Sequence, residues 1–173
     1  MNGSLRRFAL FLETIVFTIV VPGTVAFWLP GMILDSSRLV ILRPWSVSQY
    51  VALVLLTAGA LMYLRCLWEF AARGRGIPAP IDHPKQLVVT GLYRYVRNPM
   101  YVGVLLFLLG EALFLQYLGF LWYTIGWFVF VNLAIVLYEE PNLRRKFGDS
   151  YVHYASAVHR WMPGRAYSDW QRQ

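Results

Sequence analysis

The sequence predicts an all-α integral membrane protein with about four transmembrane helices, and three observations carry that prediction. Of 173 residues, 58% are apolar and 17% aromatic, while only 14% are charged, a balance outside that of soluble globular domains. The apolar residues gather in four runs, near 8–29, 46–68, 100–118 and 120–138, each close to the roughly 20 residues that cross a bilayer. The basic residues fall between those runs. With both termini cytoplasmic, thirteen of the 16 lie on one side, as the positive-inside bias requires.

The first run follows Arg6 and Arg7 and contains Glu13 and Pro22-Gly23. It is longer than a signal-peptide core, lacks a small-x-small cleavage site and is followed by further spans, so it reads as a retained helix kinked at Pro22. Glu13 sits about one turn from the cytoplasmic interface by helix rise. Trp28 and Trp45 flank the first connection as interfacial aromatics do. The second run, Ser46 to Trp68, carries Arg65 near its end, within snorkelling reach. Glu69 to Asn98 then mixes Arg73, Arg75, Asp82, His83, Lys85, Arg94 and Arg97 with Gly74, Gly76, Pro78, Pro80 and Pro84, which predicts a structured loop, long enough to imply a functional role. Pro99 opens the third span at a position where its missing N–H costs nothing. Glu111 lies inside that span; it either lines a head-group cavity or is neutral and hydrogen-bonded to Tyr or Trp. Gln116 to Gly119 is the only polar relief before the fourth span, so these two form an antiparallel hairpin. Glu139-Glu140-Pro141 is expected to end the fourth span sharply. In the polar tail, Asp149 or Ser150 caps a short helix with Tyr151, Tyr154, Val158 and Trp161 at helical spacing, lying on the membrane surface or the loop with Arg160 and Arg165 toward lipid phosphates.

Several chemistries are excluded. The net charge of +7 follows topology and forms no single surface, so nucleic acid is not a partner. Cys66 is the one cysteine, leaving no disulfide and no multi-cysteine metal site. His83, His153 and His159 are scattered and predict no metal. Neither a G-x-G-x-x-G after a strand nor a Walker sequence is present.

What remains is a pair of abrupt polarity changes on one membrane face. The first runs from Leu87 to Gly103, where a basic, glycine-punctuated loop becomes an apolar wall. Its Gly91-Leu92-Tyr93 turn and Asn98-Pro99-Met100-Tyr101 corner offer exposed backbone, flat rings and one amide, a set that suits a purine and its ribose. The second is Tyr138-Glu139-Glu140-Pro141. Carboxylates at a helix C-terminus oppose the helix dipole, so they call for cations such as Lys85, Arg94 or Arg97, or for donors on a cofactor. The hairpin returns the two corners to the same face, within a ligand's width.

The run Leu-Val-Val-Thr-Gly-Leu-Tyr-Arg-Tyr-Val-Arg-Asn-Pro-Met-Tyr-Val-Gly, followed by Tyr-Glu-Glu-Pro-Asn-Leu and by Phe147-Gly148-Asp149-Ser150-Tyr151, closely resembles the isoprenylcysteine carboxyl methyltransferase and phospholipid methyltransferase superfamily, integral membrane enzymes that use S-adenosylmethionine. The resemblance covers roughly Ile81 to Pro163 within a single membrane domain. It implies cofactor contacts at Gln86, Leu87, Val88, Tyr93, Asn98, Pro99, Met100, Tyr101, Glu139 and Glu140, to which the residue reading adds Gly91 and Arg97. Arg97-Asn98-Pro99 departs from the Arg-His-Pro of the prenylcysteine enzymes toward the phosphatidylethanolamine methyltransferases. Tyr151, Tyr154 and Arg160-Trp161-Met162-Pro163 look like the prenylcysteine branch. A family arginine one turn before the paired glutamates aligns with Ile135.

The expectation is a membrane-embedded methyltransferase with a cytoplasmic cofactor site, formed by the loop before helix 3, the end of helix 4 and the short helical tail. Its acceptor is a lipophilic small molecule, a lipid or a lipidated protein. A carboxylate acceptor needs only desolvation and orientation; an amine must first lose a proton, for which Glu140, or less favourably Glu111, is the available base. The rivals are an NADPH-dependent reductase of the steroid-reductase type and a non-enzymatic membrane scaffold.

Overall fold

The computed structural model describes residues 20, 22–33, 46–73, 87 and 89–168, apart from the side chains of 70–73. Most of the expected first span, with Glu13, and most of the expected loop, with Gln86 and Val88, lie outside the described residues. A π-helical turn, Thr24–Trp28, leads into a short helix α1, Leu29–Ile33. Next come α2, Val47–Arg73, a 3₁₀ turn Gly91–Arg94 and α3, Pro99–Leu115. Helix α4, Leu118–Ala134, passes through a π turn, Ile135–Glu139, directly into α5, Glu140–Ala157. Every regular element among the described residues is helical. Val47–Glu69 and a segment within Leu118–Ala157 are long and apolar enough to cross a membrane, and Pro99–Leu115 is apolar but shorter.

The most intimate contact is between α2 and α3, and glycine makes it possible. A Cβ on Gly59 would stand 2.6 Å from the Gly103 carbonyl oxygen and 2.7 Å from the Phe107 nitrogen, and one on Gly110 would meet Leu56 Cγ at 2.8 Å and the Ala52 carbonyl at 3.1 Å. Small residues at such a seam let two backbones approach and multiply dispersion contacts, which must hold helices together where lipid removes the hydrophobic drive. The turn between α3 and α4 is closed by Gln116, at φ 52 and ψ 36, whose Nε2 donates to the Ser46 and Ser48 hydroxyls at 2.7 and 2.9 Å. This pins the hairpin tip to the start of α2. On the outer faces, Val54, Leu61, Trp68, Trp122, Phe130 and Leu137 are exposed, the pattern of a lipid-facing surface.

Two expected helix ends lie elsewhere. The second span continues past Trp68 to Arg73, because a polarity change does not interrupt a backbone ladder, and Glu, Ala and Arg are good helix formers. The fourth span does not stop at Glu139-Glu140-Pro141. The Glu140 N–H bonds back to the Ile135 carbonyl, five residues away, so the ladder is already displaced when Pro141 arrives. Pro141 then occupies the first turn of α5, where a missing N–H is tolerated. The break falls later, at Gly148 (φ 54, ψ −133), immediately before the residues expected to cap a tail helix. The tail helix is therefore an extension of the fourth helix.

Candidate functional site

The tail is folded back as an extended strap over the loop before α3. Arg97 N–H donates to the His159 carbonyl at 2.9 Å, Gly164 N–H to the Tyr95 carbonyl at 2.9 Å, and Tyr167 N–H to the Arg94 carbonyl at 3.0 Å. Side chains add to the seam: Arg94 Nε donates to the Tyr167 carbonyl at 3.0 Å and Asn98 Nδ2 to the Arg160 carbonyl at 3.3 Å. Trp161 closes the far end, its Nε1 donating to Asn132 Oδ1 at 3.0 Å and its ring 4.9 Å from Phe128. Beneath the strap, Val89, Tyr151, Tyr154 and Val158 form a buried cluster against which Leu87, Leu143, Phe147 and Tyr167 pack. The strap thus lies on the loop, one of the two surfaces expected for the tail. Arg165 is exposed, but Arg160 turns inward, which the expectation of lipid contacts missed.

The two polarity corners meet directly. Tyr101, one turn into α3, donates its hydroxyl to Glu139. Glu140, buried at 8% exposure, accepts from Arg97 Nη1 at 3.1 Å, from Arg160 Nε at 2.8 Å and, on its second oxygen, from Arg160 Nη2 at 3.0 Å. The Arg160 fork is the bidentate geometry in which a guanidinium binds a carboxylate most firmly, and its hydrogen bonds to Glu140 hold Arg160 above its ordinary value. Of the three cations expected beside the glutamates, Arg97 is the one that pairs with Glu140; Arg160, 61 residues beyond Pro99, completes the cluster.

Around this corner the other sequence-predicted residues take definite places. Pro99 is fully buried at the start of α3, with Met100 and Asn98 half-buried beside it. Asn98 makes no side-chain cap; its amide secures the strap. Gly91 adopts φ +57, a conformation that costs other residues roughly 1–2 kcal/mol. Tyr93 follows, its carbonyl accepting from Tyr154 Oη at 2.7 Å. Burial, then the neighbouring Cys66, Tyr154, Glu69 and Tyr101, push the Tyr93 phenol well above its ordinary value, so it remains a protonated donor. Burial likewise raises Tyr154, against the pull of Arg97. Glu111 is half-buried within α3, one oxygen enclosed and without a partner among the described residues, away from the corner in sequence.

Residues 47–150 match the family model described as phospholipid methyltransferase, a stretch that takes in α2, both corners and the paired glutamates. The chain belongs to that family. Among curated proteins it is similar to a "Probable protein-S-isoprenylcysteine O-methyltransferase" of Oryza sativa subsp. indica, 34% identical over 124 residues, covering 69% of this chain and 62% of that one. The corresponding protein of Oryza sativa subsp. japonica aligns equally. A protein-S-isoprenylcysteine O-methyltransferase of Schizosaccharomyces pombe is 36% identical over 78 residues, 44% of this chain and 33% of that one. The alignments thus span less than two thirds of these relatives' own length. No solved structure matches.

Two residues near the corner escaped the sequence reading: Arg160 as a partner of Glu140, and Glu69, which packs beside Gly91. The signal for Glu69 was its spacing from Arg65, four residues before it on what proves to be one helix. Arg65 Nη2 stands 3.4 Å from Glu69 Oε1, and the Glu69 carboxylate fills the space beside Gly91.

Proposed function

We propose that this phospholipid methyltransferase family chain transfers a methyl group from S-adenosylmethionine to an amphiphilic acceptor at a membrane edge, and that the acceptor group is a carboxylate. The observation that carries this reading is the junction of the two corners, Tyr101 on Glu139 and the Arg97–Glu140–Arg160 cluster, at the point where α3 and α4 emerge together. On the positive-inside count that point faces the cytoplasm.

The residues present fit a polar, multi-group cofactor. Among the described residues, buried polar atoms without partners gather along the loop: Thr90 Oγ1 and Arg97 Nε are both enclosed and unsatisfied, which is costly for a chain that must otherwise pair its buried polar groups. The Thr90 to Tyr101 corner with Glu139 would hold it, joined through the family resemblance by Leu87 and by Gln86 and Val88. When bound, the sulfonium supplies an electrophilic methyl carbon. The chain's own work is alignment and exclusion of water. The strap and the Tyr151–Tyr154 cluster wall the corner on the solvent side, while the acceptor's apolar part remains in lipid.

The preference for a carboxylate comes from the glutamates. Three guanidinium hydrogen bonds commit both oxygens of Glu140, and Glu139 receives the Tyr101 hydroxyl. We assign Glu140 to holding Arg97 and the strap in place. An amine would need one of these carboxylates, or the less favourably placed Glu111, as base, whereas a carboxylate attacks without losing a proton. Incubating the purified chain with methyl-labelled S-adenosylmethionine and total membrane extract tests this. Methyl esters release the label in mild alkali; N-methyl groups keep it. Base-stable label on an amine lipid would overturn the carboxylate assignment. Tight NADPH binding with no affinity for S-adenosylhomocysteine would overturn methyl transfer itself.

A further inference from the structure

Glu69 stands outside everything assigned so far. It lies near the C-terminal end of α2, on neither sequence corner, and only 5% of it is exposed. Among the described residues, neither enclosed carboxylate oxygen has a hydrogen-bond partner. Arg65 on the preceding turn brings Nη2 to 3.4 Å of Oε1 without forming a hydrogen bond, and its own side chain is 59% exposed. Among the described residues, Glu69 therefore has a counter-charge nearby but no donors. A carboxylate carries about four acceptor sites, and leaving them unmade in a low-dielectric setting is among the more expensive arrangements a fold can hold.

Its position connects it to the corner. An added Cβ on Gly91 would fall 1.7 Å from Glu69 Oε1 and 2.1 Å from Oε2, so the carboxylate rests against the Gly91 backbone at the turn that opens the Tyr93 to Tyr101 corner. The phenol of Tyr93, in turn, feels Cys66, Tyr154, Glu69 and Tyr101 as neighbours. Next to Gly91, the Thr90 hydroxyl is also buried at 7% exposure and unpartnered. Two independent side chains, from α2 and from the loop, thus present unsatisfied oxygens at one glycine turn.

We propose that Glu69 accepts the two hydroxyl hydrogens of the ribose cis-diol of the adenosyl cofactor, and so is a binding and specificity residue of the same site. The choice among the cofactor's donors follows from what Glu69 lacks. Arg65 already supplies positive charge, which makes the ammonium redundant, and two adjacent carboxylate oxygens without donors match a vicinal pair of neutral O–H groups. Gly91 is then required twice, for its positive φ and because any side chain there would displace the carboxylate. This inference rests on the S-adenosylmethionine reading above.

The test measures binding, not turnover. Affinity of the full-length chain in detergent is determined for S-adenosylhomocysteine and for its 2′,3′-dideoxy analogue, in the native protein and in Glu69→Gln. The native protein is expected to bind the dideoxy analogue at least roughly tenfold more weakly, as loss of hydrogen bonds to a charged group implies. Glu69→Gln is expected to weaken S-adenosylhomocysteine by a similar factor and to shrink the discrimination to within about threefold. Equal affinity of the native chain for both ligands overturns the diol assignment without recourse to any variant. Undiminished discrimination in Glu69→Gln, with its unfolding midpoint intact, overturns the role of Glu69 alone. If the native chain binds no S-adenosylhomocysteine at all, the cofactor reading fails and this inference fails with it.

Discussion

Arg160→Ala is the perturbation that most directly examines how the strap and the glutamate corner depend on one another. It removes two charge-assisted hydrogen bonds, at 2.8 and 3.0 Å, from a carboxylate whose side chain is 11% exposed. Bonds to charged groups contribute about 1.5–3 kcal/mol each. Two factors lower the sum. Arg97 remains at 3.1 Å, so Glu140 is not left without a counter-ion, and the Arg160 side chain is 29% exposed, so part of its interaction is screened. The expected net loss is about 2 kcal/mol, roughly 30-fold if expressed fully in cofactor affinity. Thermal unfolding in detergent and S-adenosylhomocysteine titration measure it together. Arg160→Lys is expected to recover only part, because an ammonium cannot reproduce the fork. A double-mutant cycle with Glu140→Gln isolates the pair, with an expected coupling of about 1–2 kcal/mol. Strict additivity, or an Arg160→Ala protein with native midpoint and native affinity, would refute the view that Glu140 holds the strap onto the corner.

The other predictions concern the scaffold and the second glutamate. Gly59→Ala should sharply lower the yield of folded protein, since its methyl meets backbone atoms of α3 at 2.6 and 2.7 Å, whereas Gly126→Ala, with nothing within 4 Å, should be neutral or slightly stabilising; equal yields in size-exclusion profiles would count against the α2–α3 seam. Tyr101→Phe deletes the donor to Glu139 and should raise the KM for S-adenosylmethionine about tenfold with little change in unfolding midpoint; an unchanged KM would remove Tyr101 from the site. Trp161→Phe keeps the ring beside Phe128 but loses the bond to Asn132, a cost of about 1 kcal/mol, and should quicken tryptic cleavage after exposed Arg165; an unaltered cleavage rate would mean the strap is held elsewhere.

How much of this was legible in the sequence depends on how local each feature is. The corners were, because Arg97-Asn98-Pro99 and Glu139-Glu140 are short strings at polarity changes and a single hairpin returns them to one face. Their contact across 43 residues, from Arg97 to Glu140, needs only that hairpin. Arg160 was not legible as a partner of Glu140. Its inward turn depends on the backbone pairing of residues 94–97 with 159–167, a seam of irregular chain with neither a period of 2 nor of 3.6 to announce it. The burial of Tyr151, Tyr154 and Val158 was correctly grouped by spacing, yet Trp161 reaches its place through the strap after the helix has ended at Ala157. Glu69 was passed over because the polarity change at Trp68 was taken as a helix end, and a residue assigned to a loop is not examined for what its helix face meets.

The paired glutamates show why a stop signal can conceal a joint. Adjacent residues on an α-helix point about 100° apart, so Glu139 and Glu140 on a regular helix would serve different surfaces, and Pro141 would break the ladder beneath them. The π turn removes the second difficulty, since the ladder is already displaced when Pro141 enters it, and puts the divergence of the two side chains to use. Its last residue is Glu139 and the first residue of α5 is Glu140, so the change of register falls between the two carboxylates: one meets Tyr101 from α3, the other meets Arg97 from the loop and Arg160 from the strap. π turns are inserted where a helix must present side chains that the regular repeat would misdirect, frequently at functional sites. Here the insertion keeps one continuous helix running from the apolar segment into the polar tail. That continuity gives the tail a rigid lever from which to fold back, past Gly148, onto the loop that begins the corner.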